Sequence, residues 1–390
     1  MKQTERGSSL FVVLVLFLIS GVIAAFILYR TESEWALVIG FEKGIALRQV
    51  AEAVLADQLM LLKHDETEAD TDQDAWYSNG RLDFERNGCQ VIMVIEDEGS
   101  KPNLNLLNDE GLQTALTSQI SPDPILDWRD VDDESRPNGA ENQYYQELNP
   151  SYESRNGFFA SVKELRQLRE GDQIYPQLAS KVTVYGKVNP NTLRNRDVLV
   201  GLFLAHRFEK HWVDSAVDEY LNYFSTHPNG FSTFDDFHNL TYVTMLELDQ
   251  LKRFMHFTGN CNINLMTLDT LATIFSHIAS INSDEALTLA KQLGHQIPFT
   301  DLDELKAYLE AKKISRLTKA VVGDYFTTVT TIVRYKIWVT KGTQKFYLDT
   351  VQERTPGDVK GDWNVHPLTW QMLLNSQAPG VPPKPASKEE

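Results

Sequence analysis

Hydrophobic positions follow three different rhythms along this chain. From Ser8 to Leu28 they are continuous, an uncharged run of about 21 residues, long enough for the roughly 30 Å hydrocarbon core of a bilayer. From Tyr29 to Lys63 they recur at helical spacing, at Leu47, Val50, Ala51, Val54, Leu55 and Leu61. No proline precedes Pro102. The two rhythms together predict one helix from Ser8 to about Leu62, about 80 Å long at 1.5 Å per residue, lipid-soluble in its first half and amphipathic in its second. The third rhythm comes in short runs of strand length. Cys89–Glu96 is one, and Phe326–Thr340 and Gln344–Glu353 are two more, joined by a Lys341-Gly342-Thr343 turn.

A lone early strand needs neighbours, and the late hairpin supplies them. The predicted class is therefore α+β: a long N-terminal helix packed on a small antiparallel sheet, with a large, mostly helical domain inserted between strands. The expected organisation is a leader over 1–7, a membrane segment over 8–28, the rest of the helix and first strands over 29–105, and the insertion over 106–317. Closing strands over 318–355 and a flexible tail over 356–390 complete it.

The insertion carries a weak repeat. Asn-x-Asn occurs at Asn103/Asn105, Asn189/Asn191 and Asn262/Asn264, each followed some tens of residues later by a phenylalanine, Phe159, Phe231 or Phe299. After each phenylalanine comes a capping-box pair, Ser161/Glu164, Thr233/Asp236 and Asp301/Glu304, expected to start a helix. Such units resemble helix-hairpin-helix modules. They lack the glycine-rich hairpins and nearby cations that a nucleic-acid backbone requires.

Charge removes further classes. Lys+Arg total 37 against 54 Asp+Glu, for a net charge of −17. That field repels phosphate backbones and favours cationic partners, metal ions among them, so no nucleic-acid partner is expected. Two cysteines exclude a disulfide scaffold or a four-cysteine zinc site. No Gly-x-Ser-x-Gly, His-Glu-x-x-His, Walker loop or Cys-x-x-Cys occurs, and the expected protein is not an enzyme. The densest chemistry lies between Leu126 and Tyr145. There Asp130, Asp132, Glu134, Asn138 and Glu141 fall at positions 1, 3, 5, 9 and 12 of an EF-hand-like count, but Ser135 stands where that loop needs glycine. The alternatives are an irregular calcium site and a solvated acidic loop partly neutralised by Arg129 and Arg136.

At the N-terminus, Lys2 and Arg6 precede the apolar run and the acidic bulk follows it. The positive-inside rule then places the N-terminus in the cytoplasm and the remainder in the periplasm. Ile23-Ala24-Ala25 offers a small-residue cleavage site, but it lies inside the apolar run. The long helix with its short polar leader resembles a type IV pilin-like subunit. Leaders of that kind are cut after glycine, which places processing between Gly7 and Ser8. Pilin-like proteins usually carry glutamate five residues after the cut, where this chain has Val12. A subunit without that buried acid makes no demand on a subunit ahead of it, which suits the topmost position.

More specifically, the chain resembles the K-type minor pseudopilin family of type II secretion systems (general secretion pathway protein K). The likeness is carried by Lys101-Pro102-Asn103-Leu104-Asn105, Asp127-Trp128-Arg129-Asp130-Val131-Asp132-Asp133 and Arg136-Pro137-Asn138-Gly139-Ala140-Glu141. Arg155-Asn156-Gly157, Ser161-Val162-Lys163-Glu164-Leu165 and Val182-Thr183-Val184-Tyr185-Gly186 continue it. The resemblance implies an inner-membrane subunit, anchored through residues 8–28, that sits at the pseudopilus tip because its insertion is too wide for the shaft. It further implies assembly with I- and J-type minor pseudopilins, other pseudopilins and inner-membrane secretion components. Structural calcium is implied too, with Asp127, Asp130, Asp132, Asp133 and Glu141 as candidate ligands. Export would place Cys89 and Cys261 in an oxidising compartment as a candidate disulfide. A type IV minor pilin and a signal-anchored periplasmic binding protein share much of this architecture and remain the alternatives.

Overall fold

The computed structural model describes residues 5–116, 119–314, 319–357 and 362–383. Helix α1 runs unbroken over Glu5–Lys63. Its span Phe11–Thr31 has a mean hydropathy of 3.1 and none of it is buried against the rest of the protein. The α1 backbone is helical across Gly7 and Ser8, whereas residues 1–4 of the expected leader lie outside the described residues. In the second half of α1, Leu47, Val50, Ala51, Val54 and Leu55 are buried as the spacing predicts. Leu61 departs from that face and is 47% exposed, while Leu62, a further 100° around the helix, is buried instead.

The described residues form seven strands, β1 (Arg81–Arg86), β2 (Cys89–Asp97), β3 (Cys261–Asn262), β4 (Phe326–Thr327), β5 (Ile332–Lys341), β6 (Gln344–Pro356) and β7 (Trp363–Leu374). Five form one sheet in the order β1-β2-β5-β6-β7, with every neighbouring pair antiparallel. Alternation puts Val91, Met93 and Ile95 of β2, Val333, Tyr335, Ile337 and Val339 of β5, and Phe346 and Leu348 of β6 on the α1 side. Strands β3 and β4 pair in parallel as a two-residue staple.

The C-terminal boundaries differ from expectation. Residues 319–325 are helical, the closing strands begin at Ile332, and what reads as tail contains the fifth strand, β7. That strand lies at the sheet edge with one face in solvent, and it contains Pro367, which an edge position tolerates. Both features blur its alternation. Residues 384–390 of the expected tail lie outside the described residues.

Between β2 and β5 the chain leaves the sheet and builds three helical units, each with its own core. The first packs Leu104, Leu112, Ile125, Trp128 and Tyr145. The second packs Leu199, Phe203, Tyr220, Phe231 and Phe237, and the third Ile263, Leu271, Phe275, Phe299 and Leu309. The Asn-x-Asn repeat explains how each unit closes. The first asparagine accepts a hydrogen bond from the backbone N–H of the second, at 3.0, 2.9 and 3.0 Å. The second then grips the backbone of its phenylalanine with both amide atoms. Asn105 holds Phe159 at 3.1 and 2.8 Å, Asn191 holds Phe231 at 2.9 and 2.8 Å, and Asn264 holds Phe299 at 2.9 and 2.7 Å. Each grip satisfies one N–H and one C=O that burial would otherwise orphan. The capping boxes form at Ser161/Glu164 and Thr233/Asp236. In the third unit Asp301 accepts from the N–H of Asp303 and Glu304, but Glu304 turns to the N–H of Thr300, so that box is not reciprocal.

The insertion sits at the end of the sheet far from the apolar span. The Cys89 end of β2 lies beside Leu47 and Val50 of α1, and the insertion departs from the opposite, Asp97 end. There Ser100 Oγ donates to the Asn262 carbonyl at 3.0 Å, and Asn262 Nδ2 donates to the Asp70 carbonyl at 3.1 Å. Arg354 of β6, fully buried, binds both Asp65 and Asp70 just after α1, locking the loop that follows the helix onto the sheet.

This placement overturns the expected disulfide. Cys89 and Cys261 are both free and buried. Cys89 opens β2, whereas Cys261 neighbours the far end of that strand. Eight residue steps at about 3.3 Å put roughly 26 Å between those ends, well beyond the ~7 Å Cα limit of a disulfide. Burial pushes the Cys261 thiol up to about 12.

Candidate metal centre

The acidic stretch folds around α3 (Asp123–Arg129), which follows α2 (Asp109–Ala115) and has Pro124 in its first turn. Asp127 lies in the last turn and Asp130 is the residue that ends the helix. Their spacing of three puts both carboxyls on one face. The intervening Trp128 and Arg129 point elsewhere. Trp128 packs edge-on against Tyr145, and buried Arg129 donates to the carbonyls of Leu104 and Leu107 at 2.6 and 2.5 Å. Arg129 therefore pins the loop to the segment after β2, and reaches Asp130 only through its field, not by an ion pair. Burial lowers its pKa to about 10.

After Asp130 the chain loops through a turn at Arg136–Gly139 and returns at Glu141, which precedes α4 (Asn142–Gln146). Close return is possible because residue 139 is glycine. A Cβ there would lie 1.8 Å from Asp127 Oδ2, closer than any side chain can approach. Asp127, Asp130 and Glu141 consequently converge, all buried, each offering an oxygen within 4.8 Å of the others.

One cation serves this cluster from within. Arg136 Nη1 bridges Asp127 Oδ1 and Asp130 Oδ2, each at 2.6 Å, and the Arg136 backbone N–H donates to Asp127 Oδ2 at 3.1 Å. The pairing raises the Arg136 pKa further. One guanidinium does not balance three carboxylates. Asp130 Oδ1 and both oxygens of Glu141 are buried with no hydrogen-bond partner among the described residues. Burial, reinforced by the field of Asp130, Asp127, Asp132 and Asp133, pushes Glu141 up to about 8. Burial also drives Asp130 up to about 6 against the pull of Arg136.

Two of the five candidate ligands stay outside. Asp132 is exposed and accepts from the Glu134 N–H at 2.8 Å. Asp133 is exposed and accepts from Asn156 Nδ2 at 2.9 Å. The EF-hand-like count fails for the same reason. Asn138 turns away to Asp123 at 3.0 and 3.1 Å, and Asp127, which precedes that count, belongs to the cluster. Gly139 and the bridging role of Arg136 are the additions that sequence reasoning missed. The Asn138-Gly139 dipeptide, a turn signal, was the available cue to the first.

Residues 97–187, from the end of β2 through this centre, match the family model described as Type II secretion system (T2SS), protein K. The likeness to the type II secretion protein K family is carried by this segment. The matched segment contains all of Asp127, Arg136, Gly139 and Glu141. Among solved structures, the chain is similar to one in the crystal structure of the GspK-GspI-GspJ complex from the enterotoxigenic Escherichia coli type 2 secretion system. Identity there is 13%, the match covers 88% of this chain and 99% of that one, and the TM-score is 0.49. No curated protein sequence matches this chain.

Proposed function

We propose that this type II secretion pseudopilin is a tip subunit that helps start the pseudopilus and, through it, the export of folded proteins, and that it is not an enzyme. The observation that carries this reading is where the insertion sits. It leaves the sheet at the end of α1 opposite the apolar span, between the two strands β2 and β5 that are hydrogen-bonded neighbours. Bulk in that position covers the head on the side where the next subunit would have to be added. Val12, in place of glutamate, makes no electrostatic demand on such a subunit. In this reading α1 anchors the protein in the inner membrane by a single pass, with the head periplasmic, until assembly draws it out. The protein K segment supports I- and J-type minor pseudopilins as lateral partners. Co-expression of this chain with candidate I- and J-type subunits tests this: a ternary complex on a column that tags only this chain is expected, and its absence with every pairing counts against it.

The acidic centre is proposed to hold structural calcium. The donor set is hard oxygen only, and Glu141 presents two buried oxygens that no described residue satisfies. Asp127, Asp130 and Glu141 would hold the ion, which would supply the positive charge that Arg136 alone does not. Asp132 and Asp133 would contribute through the field. Calcium should raise the melting temperature, chelator should lower it, and Asp130→Asn should abolish both responses. A calcium response unchanged in that variant removes the site.

A further inference from the structure

We infer that the outer face of the sheet holds a proline-peptide site, occupied in this molecule by the chain's own segment Ala378–Pro383. Beyond β7 the chain turns at Asn375–Gln377 and, without forming a strand, runs back over the sheet from Trp338 of β5 to Arg81 of β1, with β2 between them. Ala378, with φ −68° and ψ 132°, starts it in the polyproline II region, and Pro379, Pro382 and Pro383 suit the same conformation. A polyproline stretch has no internal hydrogen bonds, so its carbonyls need donors from elsewhere. The sheet provides them at both ends. Trp338 Nε1 donates to the Pro379 carbonyl at 3.1 Å, and Arg81 Nη1 donates to the carbonyls of Pro382 and Pro383 at 3.0 and 3.1 Å.

The Trp338 that holds the segment is half of an aromatic pair. Trp338 and Tyr347 are paired across β5 and β6, with ring centroids 4.9 Å apart. They point away from α1, yet only 6% and 5% of their surface is exposed. An aromatic pair flanked by side-chain donors is the chemistry that recognises extended proline-rich peptides. The donors do not depend on the segment for their placement. Arg81 is held in two-point contact by Asp83, at 2.9 and 3.1 Å, and Trp338 is fixed in a central strand. A groove fixed in this way persists when the segment leaves, and it takes a proline-rich extended peptide in trans. Because the segment is tethered, it competes at an effective concentration in the millimolar range.

The test uses the full-length protein in detergent, a variant ending at Ser376, and a synthetic peptide of residues 377–383. The truncated chain should bind the peptide saturably, read by calorimetry and tryptophan emission, and the full chain at least tenfold more weakly. Trp338→Phe or Arg81→Ala in the truncated chain should abolish binding. A full-length chain with Pro379, Pro382 and Pro383 all changed to alanine should admit the peptide as truncation does, which keeps the test independent of how well the shortened chain folds. Absence of binding to both the truncated and the alanine-substituted chains overturns the inference. Equal binding to wild-type and truncated chains, or equal binding of a peptide with its prolines replaced by alanine, also overturns it.

Discussion

Substituting Glu141 by glutamine should stabilise the metal-free protein at neutral pH and leave it unchanged in acid. The carboxyl is buried with neither oxygen bonded, and its pKa stands at about 8 against an ordinary 4.5. An acid whose pKa is raised on folding binds more protons folded than unfolded, so its contribution to stability falls as pH rises from the unfolded value towards the folded one. At about 1.4 kcal/mol per pH unit, the loss accumulated between pH 4.5 and 7 is about 3 kcal/mol. Solvent around exposed Asp132 and Asp133 screens part of that field and reduces the expectation to about 2 kcal/mol. The assay is urea unfolding in excess chelator at pH 5 and pH 7.5, followed by Trp128-sensitive near-ultraviolet signal, for wild type and Glu141→Gln. The wild type should weaken across that interval by about 2 kcal/mol more than the variant. Asp130, raised to about 6, adds a loss of the same sign in both proteins and cancels in the comparison. Parallel pH dependences would refute the reading of Glu141 as an unpaired buried carboxyl that folding keeps from ionising. In calcium the order should reverse, the wild type becoming the more stable.

Asn264→Ala should cost about 2–4 kcal/mol, because it strands both the N–H and the C=O of buried Phe299, and Asn264→Asp should restore only the accepting half; a loss below about 0.5 kcal/mol would contradict the grip. Gly139→Ala should abolish the calcium-dependent gain in melting temperature, since the new methyl displaces Asp127, and a retained gain would show that the loop yields freely. Thiol titration of the unfolded, unreduced protein should find both Cys89 and Cys261 reactive, and none would mean a bridge that this fold does not form.

What the sequence revealed depended on how local the governing physics was. The α1 stripe was legible because five buried positions repeat at helical spacing, and Leu61 misled only because Leu62 is equally apolar. Strand β2 was legible as a compact apolar run, while β7 was not, since one face is wet and Pro367 interrupts it. The Asn-x-Asn motif was visible as a repeat, but its purpose was not. The phenylalanine that each second asparagine grips lies 54, 40 or 35 residues further on, a distance that only the folded unit spans. In the acidic loop the residue types were legible and the selection among them was not. Spacing along an extended loop favoured Asp132, Glu134 and Asn138 beside Asp130 and Glu141, whereas the helix end of α3 and the Gly139 turn chose Asp127, Asp130 and Glu141. The disulfide expectation failed because compartment argues only for permission, and the length of β2 keeps the two thiols apart.

The place proposed for this subunit is the pseudopilus tip. Gold labelling of a surface epitope in the insertion, on pseudopili overproduced with this chain at its natural level, tests it most directly. A single label at one end of each filament is the predicted result, and label distributed along the shaft would contradict it.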